Sequence, residues 1–371
     1  MGSYRTSFLC FFLLLCCYLK GQHIVVPIGT LDDAIKETSG LVYFNGRLVT
    51  HNDSGNMAQL FELNPRTGEV LRVVTVENAT NTDWEDIAQD ESYIYIGDFG
   101  NNTGNRTDLG IYRIAKKEFQ DSASVLADHI TFSFEDQKDF NASQNSDWDA
   151  EAFFVFGDHF IVLTKQWQQM GTVAYRIPKG IGHHSAQRMD SYPIAGLVTG
   201  ATYNETTEKL WLVGYSGLLI PFLAEINDVS DNSIFSGKIT KSSLDIGVAQ
   251  IEAITSYENT YFLTSEEFVN TTPQITSASR LFSFEVEDVD MEKDSLVLFR
   301  PGGSPILAYQ LDTEDDVFEQ AIFDISGRMI AYNPIAILRD GSINVSGWKP
   351  SVYFLSFYLK EGKVTKPFII N

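Results

Sequence analysis

A chain of 371 residues, 44% hydrophobic and 13% aromatic, is long enough for one large folded body and a small one. Its formal charge of -22 at pH 7 repels phosphate backbones, which argues against nucleic acid as a partner and suits cations, divalent metals or neutral glycans. The three cysteines, Cys10, Cys16 and Cys17, all lie near the N-terminus, so the rest of the chain offers no disulfide, thiolate metal site or cysteine nucleophile.

Arg5 precedes an apolar run over residues 8–19, too short to span a bilayer and the right size for an export signal. Residues 1–21 are expected to form a cleaved signal peptide. No later stretch is apolar enough for a transmembrane segment, so the mature chain is expected outside the cell or on its outer surface.

Thr38-Ser39-Gly40-Leu41-Val42-Tyr43 and Arg47-Leu48-Val49-Thr50 then flank Asn45-Gly46, a dipeptide that tolerates positive φ and predicts a hairpin. Gln59–Leu63 and Val70–Val76 complete a four-strand unit with no helical periodicity. The second unit opens Asp83-Trp84-Glu85-Asp86-Ile87, continues with Tyr93-Ile94-Tyr95-Ile96-Gly97, and leads into the loop Asp98-Phe99-Gly100-Asn101-Asn102. Later units open at Asp149-Ala150-Glu151-Ala152, at Val198-Thr199-Gly200-Ala201 and at Ile251-Glu252-Ala253-Ile254. The anchors Ser39, Glu85, Glu151, Thr199 and Glu252 recur every 46 to 66 residues or so, the roughly 40–50-residue rhythm of four-strand propeller blades. The expected fold is all-β: a five-bladed β-propeller over residues 22–296, with six blades as the alternative. A small β-sandwich over 297–371 follows a linker at Gly302-Gly303-Ser304-Pro305. The fifth blade takes its fourth strand either from the N-terminal Ile24–Ile28 run or from Ser295–Phe299.

In a propeller the turn into each first strand and the loop leaving each second strand share one face. Glu85, Asp86, Glu151 and Glu252 then ring one mouth of the channel. Carboxylates so gathered repel one another until protons or a hard cation intervene, and Ca²⁺ accepts several oxygens at flexible geometry. The four are the candidate metal ligands. Alternatively, Glu85, Glu151 and Glu252 accept backbone N–H groups of neighbouring blades and tie the ring together. His51, Asp53, Asp98, Asn101, Asn102, Trp167, Tyr215 and Glu267 fall around them as candidate ligand-binding residues, with Trp167 and Tyr215 supplying aromatic surface. Trp84 and Trp148 suit inter-blade packing better.

Phe323-Asp324-Ile325-Ser326-Gly327-Arg328, Ile343-Asn344-Val345, Pro350-Ser351-Val352-Tyr353-Phe354 and the closing Lys363-Val364-Thr365-Lys366-Pro367-Phe368-Ile369-Ile370 resemble the C-terminal sorting domain of type IX secretion cargo. Ser351 replaces the family's usual Gly, and Arg300-Pro301 its opening Asn-Pro. The resemblance implies that 297–371 engages the type IX machinery for passage across the outer membrane of a Gram-negative bacterium. The propeller region, through Thr38-Ser39-Gly40-Leu41, Trp84-Glu85-Asp86-Ile87, Asp149-Ala150-Glu151-Ala152 and Ile251-Glu252-Ala253-Ile254, resembles the SdiA-regulated propellers and their phytase-like and NHL-type relatives. That resemblance implies five or six blades and, in some members, calcium.

The leading functional expectation is an extracellular binding module with a small-molecule, glycan or protein ligand at the acidic mouth. The rivals are a calcium-assisted hydrolase acting on a phosphoester, lactone or glycan, and a purely structural surface protein. Lys165 and Arg106 are the only cations expected near the mouth, which is thin for a phosphate substrate.

Overall fold

The turn at Asn45-Gly46 forms as its residues dictate: both hold positive φ, 49° and 78°, and Phe44 pairs with Arg47 across it. The computed structural model describes residues 24–271, 274–286, 295–300, 304–313, 317–333, 339–359 and 362–370. The expected signal peptide, with all three cysteines, lies outside these residues. The chain divides into two compact units, Met1–Val286 and Glu287–Asn371.

The first unit is built from antiparallel four-strand sheets in chain order. Thr38–Phe44, Arg47–Asn52, Gln59–Leu63 and Val70–Val76 make the first, with Ser124–Val125 added in parallel at its edge. The second comprises Trp84–Gln89, Tyr93–Asp98, Gly110–Ala115 and Asp128–Phe134. The third comprises Ala150–Phe156, His159–Thr164, Thr172–Pro178 and Gly182–Tyr192, and the outermost strands of these two sheets pair in parallel. Leu197–Asn204, Lys209–Tyr215, Pro221–Ile226 and Ile239–Ser243 make the fourth. The fifth joins Ile251–Tyr257, Thr260–Ser265 and Arg280–Glu285 to the N-terminal strand Val26–Thr30. Of the two strands that could complete this sheet, the N-terminal one does so; Ser295–Phe299 belongs to the second unit.

The first strand of each sheet packs against the first strand of the next, and that of the fifth against that of the first. Apolar clusters fill each gap between neighbours. Trp84 and Ile87 meet Val42 and Val49 between sheets one and two; Phe153 and Phe160 meet Tyr95 and Phe99 between two and three. The closing gap joins Leu41, Leu48 and Phe61 to Ala253, Phe262 and Leu281. Sheets arranged radially with their first strands innermost form a β-propeller, and pairing Val26–Thr30 with Arg280–Glu285 in one sheet joins the two ends of the first unit. Among the described residues no helix is long and apolar enough to cross a membrane.

One feature of the inner strands is invisible in the sequence pattern. Each slips register by one residue near its start: between Ser39 and Leu41, Trp84 and Asp86, Ala150 and Ala152, Val198 and Gly200, and Ile251 and Ala253. Such a bulge leaves one residue without a cross-strand partner and re-aims it. Glu85, Glu151 and Glu252 occupy this position in three sheets and Thr199 in a fourth. In the first sheet it falls to Gly40, at φ 65°, where an added Cβ would lie 2.6 Å from the Ile87 nitrogen.

In the second unit Ser295–Phe299, Ile306–Asp312 and Asp340–Asn344 make one sheet, and Met329–Asn333, Val317–Asp324, Ser351–Leu359 and Gly362–Ile370 another. Leu296, Leu307 and Leu311 from the first share an apolar cluster with Ile322, Leu355, Phe357 and Phe368 from the second. Ser295–Phe299 pairs with Ile306–Asp312. Of the expected linker, Gly302 and Gly303 lie outside the described residues.

Candidate metal and ligand site at the acidic mouth

The bulges aim Glu85, Glu151 and Glu252 into a cavity of about 150 Å³ at one end of the channel. Asp53, Asn102 and Glu266 line it from the surrounding loops, and Lys165, Trp167 and Tyr215 from one side. Carboxylate oxygens of Glu85, Asp149 and Glu151 lie within 4.8 Å of one another, and so do those of Asp53, Asp83 and Glu85. Glu85 is common to both groups.

Lys165 is the one cation lining the cavity among the described residues. Its Nζ donates to Glu151 Oε1 at 3.0 Å and lies 4.7 Å from the centre of the Trp167 ring and 5.6 Å from that of Tyr215. Burial works against its charge, but Glu151, Tyr215 and Glu252 outweigh burial and hold it protonated. Trp167 Nε1 donates to Asp149 Oδ2 at 2.8 Å, and the Asn101 N–H donates to Asp149 Oδ1 at 2.7 Å. Asp149 is therefore held in place by the walls on either side.

The remaining carboxyls are short of positive partners. Burial pushes Glu252 up to about 7, with Lys165 opposing and Asp53 reinforcing. Burial and the nearby Glu252 push Glu266 up to about 9. Asp83 rises to about 7 through burial and the charges of Asp53 and Asp149. Burial, with Glu151 next, raises Glu85 well above the carboxylate range, and burial raises Asp53. Protons or a bound cation must offset this convergence at neutral pH.

The structure redistributes several residues expected at this mouth. Asp86, the neighbour of Glu85, is on the far side of the bulge. It is fully buried and accepts the N–H groups of Ile87 at 2.8 Å and Phe153 at 3.0 Å, so it leaves the metal set. The inter-sheet tie expected of the glutamates is thus made by Asp86. The Ser39 and Thr199 hydroxyls add to it by donating to the Glu85 and Ile251 carbonyls of the next sheet. His51 is not at the mouth: it is wholly buried, edge-on to Trp84 at 5.5 Å, with Nδ1 on the Asn52 carbonyl, and burial lowers it to about 4. A neutral wall residue replaces the expected ligand.

Asp98 lies one layer out. Its Oδ1 accepts the Asp83 N–H at 3.1 Å and Arg106 Nη2 at 3.0 Å, which fixes the loop behind Asp83. Asn101 acts in the same layer, through its N–H to Asp149 and its Oδ1 to the Arg106 N–H. Glu267 is exposed, with its N–H on the Lys36 carbonyl, and Glu266 takes the place in the cavity. Asp53, Asn102, Trp167 and Tyr215 line the cavity as expected. Trp84 and Trp148 pack between sheets.

Asp83 and Asp149 were not anticipated. Their signal was present as Asp83-Trp84-Glu85 and Asp149-Ala150-Glu151, an acidic residue two positions before two of the three bulge glutamates, with the neutral Gln250 in that place before Glu252. Residues two apart in extended chain share a face.

Fold and site together define a β-propeller with a carboxylate-lined channel mouth. No protein-family model matches the chain, and no curated protein matches it in sequence. Among solved structures it is similar to the exo-β-1,3-galactanase of Phanerochaete chrysosporium (9% identity, TM-score 0.43, covering 93% of this chain and 99% of that one). It is similar also to a GH43_1 enzyme from Xanthomonas citri (14%, 0.42, 72% and 93%). A third is the extracellular domain of the one-component system BT4673 of B. thetaiotaomicron (10%, 0.31, 94% of this chain), of whose length this chain spans 59%.

Proposed function

We propose that this chain is an exported, five-bladed β-propeller binding module whose acidic mouth holds a divalent cation, Ca²⁺ by the hardness of its donors, together with a small ligand group. The second unit, through the motifs that resemble a sorting domain, directs export by the type IX route to the outer surface or the medium. The observation that carries the metal reading is the convergence of Glu85, Asp149 and Glu151, with Asp53 and Asp83 beside them, around a cavity with one lysine. Oxygen donors without thiolate or imidazole suit a hard cation. The cavity is below the roughly 300–1,000 Å³ of small-molecule pockets, so it suits an ion and one ligand group and not a large molecule. Trp167 and Tyr215 form the wall such a group would meet.

Calcium titrated calorimetrically into chelator-treated full-length protein should give saturable heat, lost in Glu85→Gln. Absence of heat in the wild type would overturn the reading.

A second reading, a hydrolase, is favoured by one observation. Glu266, raised to about 9, is held protonated at neutral pH and Glu252, raised to about 7, is poised to exchange its proton there, both beside the Lys165–Glu151 contact, and carboxyls so shifted suit acid–base catalysis. Turnover of ester, phosphoester or glycoside substrates that is lost in Glu266→Gln would establish it. Retention of calcium heat with no turnover across these classes would leave the binding module.

A further inference from the structure

The opposite end of the channel carries a second and larger cavity, of about 840 Å³, that shares no lining residue with the acidic one. It lies wholly within the first unit and falls inside the size range of small-molecule pockets. The inner strands build it with their far ends, where they turn back into the second strands. Its floor is apolar, from Leu41, Ile87, Phe153 and Ala201. Asp86, tied to the Ile87 and Phe153 N–H groups, is wholly buried and lines neither cavity.

Aromatic surface dominates the walls. Tyr257 stacks on Tyr43 at 4.3 Å and remains 47% exposed, so one ring face is presented to the funnel. Across from it Tyr203 is half-buried, stacked on Phe154 at 6.2 Å and edge-on to Phe156 at 4.9 Å. Between the rings stand neutral hydrogen-bonding groups, Gln89, Thr202, Thr255 and Ser256. Gln89 donates Nε2 to the Tyr43 carbonyl at 2.7 Å and holds that strand end in place, while Thr202 and Ser256, both part-exposed, offer hydroxyls to the funnel.

The charged residues of this mouth carry no open positive site. Asp90 is engaged by Lys179 Nζ at 2.9 Å and by the Tyr95 hydroxyl at 2.7 Å. Lys116 donates to the Asp90 carbonyl and lies over the Phe44 ring. Glu91, Glu205 and Glu258 are exposed at the rim. The rim repels anions, and the interior has neither a free charge to pair with an ion nor the uniform apolarity that an acyl chain would need.

We propose that this funnel binds a neutral carbohydrate, a short oligosaccharide whose ring C–H faces stack on Tyr257 and Tyr203 and whose hydroxyls pair with those of Thr202 and Ser256. The ligand must combine apolar faces with hydroxyl donors in one uncharged molecule, and this is the chemistry of a sugar ring. The proposal is independent of the metal reading of the other mouth.

The test is an array of neutral, anionic and lipid-linked glycans probed with the full chain, wild type and variants, in calcium and in EDTA. Neutral oligosaccharides should be retained equally in both buffers and by Glu85→Gln. Binding should fall at least tenfold in Tyr257→Ala and in Tyr203→Ala. Tyr257 is exposed, so the first of these should keep the wild-type melting temperature and separates lost binding from lost fold. Retention of only anionic glycans, no retention at all, or binding that survives Tyr257→Ala would overturn the proposal. Neutral binding abolished by EDTA or Glu85→Gln would overturn it too, by placing the sugar at the acidic mouth.

Discussion

If the acidic mouth holds a cation as proposed, chelating it and raising the pH should destabilise the protein, and the size of the effect follows from the carboxyls gathered there. A carboxyl whose folded pKa exceeds its unfolded value contributes stability that is fully present below the unfolded pKa and is lost as pH rises through the folded one. Glu252, nearly inaccessible, moves from 4.5 to about 7, which at about 1.4 kcal/mol per unit corresponds to roughly 3 kcal/mol lost between pH 4.5 and 7. Asp83 shifts over a similar window, and Glu266 extends it to about 9. Glu252 alone should lower the melting temperature of chelator-treated protein by about 6–12 °C between pH 5 and 8, at roughly 2–4 °C per kcal/mol for a domain of this size. Bound Ca²⁺ replaces the protons, so its stabilisation should be small at pH 5 and large at pH 8. Differential scanning calorimetry at pH 5, 6.5 and 8, in EDTA and in calcium, reads both. A metal-free melting temperature that is flat or rises from pH 5 to 8, or a calcium effect independent of pH, would refute the reasoning.

Other perturbations separate the roles of the site's residues. Asp86→Ala orphans the Ile87 and Phe153 N–H groups and should cost about 2–4 kcal/mol in urea denaturation. A loss below about 0.5 kcal/mol would contradict its role as a tie. An added Cβ at Gly100 runs into the Glu85 and Asp83 carboxyl oxygens, so Gly100→Ala should weaken calcium binding about tenfold or more by calorimetry, with far-UV circular dichroism unchanged. Lys165→Met removes the cation that competes for Glu151; the metal-free protein should melt lower, and the rise on adding calcium should exceed the wild-type rise.

The sequence shows the site through recurrence and obscures it through register. Glu85, Glu151 and Glu252 were legible because each opens a copy of the same unit. The choice between Glu85 and Asp86 was not, because the bulge that sends one to the cavity and the other to the Phe153 N–H is a backbone irregularity with no residue signature of its own. The same one-residue ambiguity separates Glu266 from Glu267. His51 looked like a loop ligand beside Asn52 and Asp53. Only long-range packing against Trp84 shows that it is buried and neutral. Closure of the ring by Val26–Thr30 was one of two readable options, since any β-prone strand can complete an open edge and its partner is fixed by the fold as a whole. The funnel lined by Tyr43, Tyr203 and Tyr257 was not anticipated because these residues read singly as ordinary strand ends. They converge only once the inner strands stand side by side.

The central claim is that the acidic mouth is a cation site, and anomalous scattering tests it most directly. Crystals of the full chain grown with calcium, and again with a lanthanide, should show a peak bounded by Glu85, Asp149 and Glu151. A fully occupied data set with no anomalous density there, or with the ion bound only elsewhere, would contradict the account.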